Sequence, residues 1–190
     1  MKKLILSALA AATSLGAYAQ GTIYVDNTAN SDTSPQASTG GLLFQEGSSG
    51  TPVLYSGAFS LSVLGGASAS SLSPIVTLTG ATAPFNYGGG IFGDSTGASY
   101  TVPGVAGSGI ATLEVEAWTG NFSSYAAAVT GGGSYGEVTF QNATGGGGVP
   151  QALPVDLVGM PALILTTPEP STIALGALGT AALVFFRRRK

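Results

Sequence analysis

Ile110-Ala111-Thr112-Leu113-Glu114-Val115-Glu116-Ala117-Trp118 alternates apolar and polar side chains with a period of two. Successive side chains of a strand point to opposite faces, so Leu113, Val115 and Ala117 share one face. Thr112, Glu114, Glu116 and Trp118 share the other. One apolar face and one acidic face describe a strand that lies on a core with its outer side toward water. By the same alternation, Trp118 is expected to be at least partly exposed.

Phe59-Ser60-Leu61-Ser62-Val63 repeats the pattern, and further strands are expected at residues 22–26, 52–55, 75–79, 100–102, 137–141 and 162–166. Glycine runs separate them: Gly88-Gly89-Gly90, Gly131-Gly132-Gly133 and Gly145-Gly146-Gly147-Gly148. Only residues 123–130 read as locally helical, because a serine can cap the Ala-rich turn that follows. No repeat of 20–50 residues runs through the chain, which argues against a solenoid. Short strands punctuated by Gly and Pro predict an all-β, antiparallel sandwich-like domain over residues 20–167. Its 30 glycines add backbone entropy that folding must overcome.

The charges are strongly segregated. All six basic residues are terminal: Lys2 and Lys3 at the front, and Arg187, Arg188, Arg189 and Lys190 at the back. All nine acids lie between them, and the chain has no His. Nucleic-acid binding needs cations against phosphates, and the body has none. With no Cys, thiolate chemistry, thiolate metal sites and disulfides are excluded.

The same shortage weakens the catalytic motifs. Gly93-Asp94-Ser95-Thr96-Gly97 and Gly132-Gly133-Ser134-Tyr135-Gly136 both match Gly-x-Ser-x-Gly. A serine nucleophile needs a neighbouring base, which a body without His or Lys does not supply. Glu114 and Glu116 would stand roughly 7 Å apart on one strand face, a separation compatible with glycoside hydrolysis. A solvated strand face is the simpler reading, so no catalytic activity is expected. Calcium is the one cofactor this composition could hold, through Asp26, Asn30 and Asp32 in one loop and Asp94 in another, because it takes oxygen ligands only. The loop departs from an EF-hand, with Ser31 at its sixth position and Ala37 at its twelfth. Asx-turns that satisfy the local backbone explain these residues more simply. Trp118 beside Glu114 and Glu116 is the one candidate carbohydrate contact, since glycans stack on exposed aromatics; the competing reading is a Trp that closes the edge of the core.

The ends carry clearer signals. Lys2 and Lys3 precede an apolar run reaching about Leu15. Ala17-Tyr18-Ala19 then supplies a small-x-small cleavage pattern, with Gln20 as the first mature residue. Residues 1–19 therefore read as a helical signal peptide removed by signal peptidase. Residues 172–186 are uncharged, and four cations follow. At about 1.5 Å per residue that stretch spans roughly 22 Å of helix, a short membrane span completed by thinning and snorkelling. The basic cluster keeps residues 187–190 cytoplasmic and the body outside.

Pro168-Glu169-Pro170, the apolar helix at 172–186 and the cations at 187–190 stand in order at the end of the chain. This tripartite pattern resembles the PEP-CTERM sorting signal. The resemblance implies recognition by an exosortase, a membrane-embedded processing protease found in Gram-negative bacteria that make exopolysaccharide and biofilm matrix. Val102-Pro103-Gly104-Val105 ahead of the 110–118 strand resembles the small exported bodies of such proteins, and implies no activity. The sequence thus predicts three parts: signal peptide 1–19, β-rich exported domain 20–167 and sorting signal 168–190. Residues 168–170 are the motif, 172–186 the membrane helix and 187–190 the basic stop. The expected function is a cell-surface or matrix structural protein that passes through the inner membrane and is associated with exopolysaccharide. A surface carbohydrate-binding module is the alternative.

Overall fold

Residues 110–118 form a nine-residue strand whose burial follows the sequence alternation. Ala111, Leu113, Val115 and Ala117 are fully buried, while Thr112, Glu114 and Glu116 between them are half-buried. The computed structural model describes residues 20–47 and 49–168. The signal peptide, Glu169, Pro170, the apolar stretch at 172–186 and the basic stop lie outside the described residues. Among the described residues, no helix is long and apolar enough to cross a membrane.

The described chain folds as β1 (Gln20–Tyr24), β2 (Leu43–Glu46), β3 (Pro52–Leu54), β4 (Ser60–Gly66), β5 (Ser73–Leu78), β6 (Phe85–Gly88), β7 (Ile91–Gly93), β8 (Ser99–Ala106), β9 (Ile110–Trp118), α1 (Tyr125–Gly131), β10 (Tyr135–Ala143) and β11 (Leu163–Leu165). The central sheet has the order β10-β9-β4-β5 and is antiparallel throughout. Its register stacks Leu61, Ala117 and Gly136 in one inward row. Val63, Val115 and Val138 form the next inward row. Gly65 stands beside Leu113, where an added Cβ would lie 2.9 Å from Leu113 Cδ2 and 3.0 Å from Val102 Cγ1. A bare backbone at Gly65 therefore lets β8 press against this sheet.

The smaller sheets complete one core. β1 pairs with β8 and contributes Ile23, while β8 contributes Val102 and Val105. β11-β2-β3 adds Leu43, Leu163 and Leu165, and the β6–β7 hairpin adds Phe92. Phe92 meets Phe59 edge to face at 5.5 Å. Each fully buried Leu, Ile or Phe contributes about 1.5–3 kcal/mol relative to exposure.

The fold is mostly β, as expected, with 45% of the described residues in strands. Two details depart from the sequence reading. The strands divide among four sheets of unequal size. β11 also runs parallel to β2, with Leu163 beside Leu43 and Leu165 beside Gln45, against the antiparallel expectation. Parallel neighbours need a long connection, and here nearly the whole body lies between the two strands.

Candidate functional site

The outer face of the central sheet carries the acidic residues singled out in the sequence. Thr77 on β5, Ser62 on β4, Glu116 on β9 and Glu137 on β10 form one row across all four strands. Glu116 and Glu137 are direct cross-strand partners, and like charges in that relation repel. Glu114 occupies the same face two residues before Glu116, and its Oε2 accepts a hydrogen bond from Thr139 Oγ1 at 3.1 Å. Burial raises the Glu116 pKa first of all, and the charges of Glu114 and Glu137 raise it further against a hydrogen bond with Ser62. Glu137 did not stand out in the sequence, because its pairing with Glu116 depends on the turn through α1.

Trp118 corrects the exposure expected from alternation. It lies on the glutamate side of β9, yet it is fully buried. The chain turns back after β9 and lays α1 over it. Ser124 caps α1 by accepting from Ala127 N at 3.2 Å, and Gly132 ends it in the left-handed conformation at φ 80°. Tyr125 packs edge-on against Trp118 at 6.4 Å and against Tyr135 at 5.7 Å. The indole Nε1 donates to the Phe122 carbonyl at 3.0 Å. A ring enclosed in this way offers no face to a sugar, so Trp118 is a core side chain of the α1 cover. Tyr125 is held above its ordinary pKa, first by burial and then by its hydrogen bond with Glu137. A cavity of about 240 Å³ remains between Glu116, Ser62, Thr77 and Tyr125.

The expected calcium residues separate. The buried Asn30 spends its amide N–H groups on the carbonyls of Gly41 at 3.0 Å and Leu157 at 3.1 Å. Asp32 accepts from Ser34 N at 2.8 Å, closing a local turn. Asp26 and Asp94 do meet, in a cleft of about 310 Å³ that Asp156 also lines. Burial and then the nearby Asp26 charge raise the Asp156 pKa. Burial pushes Asp94 upward as well, but hydrogen bonds from Tyr100, Thr96 and Ala98 hold it below the ordinary range. Tyr100 donates to Asp94 at 2.7 Å, and its own pKa is pushed up to about 12, first by burial and then by that carboxylate. Among the described residues, no three acidic side chains come close enough together to hold a metal ion.

Among the described residues there is no His or Lys to serve as a base for either candidate serine. Ser95 is exposed, in a turn where Asp94 accepts from Thr96 N at 2.9 Å. Ser134 Oγ is bonded to Thr167 Oγ1 at 2.7 Å.

That contact belongs to the junction between body and tail. Leu163 and Leu165 are buried in the core. The next residue, Thr166, pairs with the start of β10: Tyr135 N donates to Thr166 O at 3.0 Å and Thr166 N donates to Tyr135 O at 2.9 Å. Gly136 permits this approach, because any Cβ there would collide with the Ile164 carbonyl. Pro168 follows, half-buried. At the other end, Gln20 begins β1, while Ala17 and Ala19 of the expected cleavage site lie outside the described residues.

A family model described as the PEP-CTERM protein-sorting motif matches residues 166–190. No curated protein and no solved structure matches the chain. The chain therefore carries a PEP-CTERM sorting motif, which marks it as an exported, exosortase-targeted protein directed through the membrane to the cell surface.

Proposed function

We propose that this chain is a structural component of the cell surface or extracellular matrix, associated with exopolysaccharide and without catalytic activity of its own. Signal peptidase releases the body at Gln20, and the apolar segment at 172–186 holds it in the inner membrane. The exosortase then acts on the tail at Pro168-Glu169-Pro170. The observation that carries this reading is the sorting motif at 166–190, joined to a body with no basic residue between Leu4 and Phe186. A domain lacking Lys, Arg, His and Cys has few means of activating a nucleophile or gripping an anionic substrate, whereas a passive surface role asks for neither.

The test is a deletion strain compared with one re-expressing the chain. The protein should remain in the washed matrix fraction, and the deletion strain should form a matrix more easily dispersed. Recovery of the protein only in the soluble medium, with the matrix unchanged, would remove the structural role.

Glycan binding stays as a second reading for a new reason. Phe85 and Tyr87, each 55% exposed, stand edge to face at 4.9 Å on the β6–β7 hairpin. Tyr87 lies near Gly93, which also approaches Asp26 of the acidic cleft. Loss of polysaccharide pull-down in Tyr87→Ala would be required to retain this reading.

A further inference from the structure

We propose that the body holds Thr166 and Thr167, the residues leading into its sorting motif, in a latch, and that exosortase processing requires this latch to open. The inference rests on the sorting reading above and adds to it how processing is controlled. The latch is built from three neighbouring features. Leu163 and Leu165 of β11 are fully buried. Thr166 exchanges two backbone hydrogen bonds with Tyr135, and its Oγ1 also donates to the Tyr135 carbonyl at 3.2 Å. Thr167 Oγ1 and Ser134 Oγ lie 2.7 Å apart.

Pro168 is the next residue, so no free linker separates the folded body from Pro168-Glu169-Pro170. The matched motif region itself begins at Thr166, inside the paired segment. An enzyme that grips an extended peptide does so largely through main-chain hydrogen bonds. Thr166 already commits both its N–H and its C=O to Tyr135, and one set of groups cannot serve two partners. Thr166 must therefore leave Tyr135, and Thr167 must leave Ser134, before an enzyme can hold the chain on that side of its cut. The latch also couples processing to folding. Its parts come from β2, β10 and β11, which meet only when the body is assembled.

The experiment follows loss of the C-terminal segment by pulse-chase in cells containing the exosortase, using the full chain. Ser134→Cys with Thr167→Cys places two thiols where the hydroxyl oxygens now meet, in a protein with no other Cys. The resulting disulfide should arrest processing, and a reductant should restore it. Ser134→Ala with Thr167→Val removes the hydroxyl contact and should speed processing about fivefold, the equilibrium factor for one hydrogen bond of ordinary strength. A disulfide-locked chain processed at the wild-type rate would overturn the latch. So would an arrest that the reductant fails to relieve, since the double variant would then be failing for another reason. Unchanged tail length in the wild-type chain itself would instead remove the sorting reading, and the latch with it.

Discussion

Replacing Trp118 tests most sharply whether α1 is part of the core or a loose flap. The indole is fully buried, donates through Nε1 to the Phe122 carbonyl and packs edge-on against Tyr125. Removing a buried aromatic down to alanine costs about 3–5 kcal/mol, and loss of the N–H···O bond adds about 1 kcal/mol. Trp118→Ala should therefore destabilise the body by about 4–6 kcal/mol, about a quarter or more of the roughly 5–15 kcal/mol that holds a domain of this kind together. Trp118→Phe keeps a ring against Tyr125 and loses the hydrogen bond with part of the volume, so about 1–2 kcal/mol is expected. The assay is urea unfolding of residues 20–167 followed by circular dichroism, which does not depend on the mutated fluorophore. In the unmutated protein, fluorescence of this only Trp should resist quenching until the same transition. A loss under about 1 kcal/mol in Trp118→Ala, with ready quenching in the native state, would refute the buried cover and return Trp118 to the surface.

Other consequences follow from the same contacts. The folded state holds the Glu116 proton more tightly than the unfolded chain does, so its ionised form destabilises the fold near neutral pH. Stability should rise as pH falls from neutral toward the ordinary carboxylate range, and Glu116→Gln should flatten that rise in unfolding titrations; a slope unchanged in the variant would contradict the assignment. Asp94 runs the other way: its lowered pKa stabilises the fold above the ordinary carboxylate range, and that contribution is lost on further acidification. Asp94→Asn should reduce this low-pH loss. Gly136→Ala should cost more than the about 1 kcal/mol of an ordinary strand change, because its Cβ has to displace the Ile164 carbonyl. Hydrogen exchange should show the Thr166 amide opening in that variant before the amides of β10.

What the sequence revealed was local, and what it concealed was set by distant partners. The strand at 110–118 and the one beginning near Phe59 were legible because alternation is a property of the strand itself. The helix was legible because Ser124 and the alanines after it are neighbours along the chain. β2, β6 and β7 were not. They are short, two of them end in glycine, and their extended form is imposed by the strands they pair with rather than by propensity. Alternation assigned Trp118 to the correct face of β9 but carried no information about α1 folding back over that face. The meetings of Glu116 with Glu137, and of Asp26 with Asp94 and Asp156, likewise join residues from separate elements, so no spacing rule exposes them. The parallel β2–β11 pair was hidden for the same reason. The tail was legible from three local features in order, and the family match at 166–190 agrees with that reading.

The most direct test of the account is the intact mass and location of the native protein, measured beside a variant with Pro168-Glu169-Pro170 replaced by three alanines. The native chain should begin at Gln20, lack the segment that follows the motif, and be found outside the inner membrane. The variant should stay in the inner membrane with Arg187–Lys190 still attached. Identical masses and identical fractionation for the two, both retaining the basic tail, would contradict it.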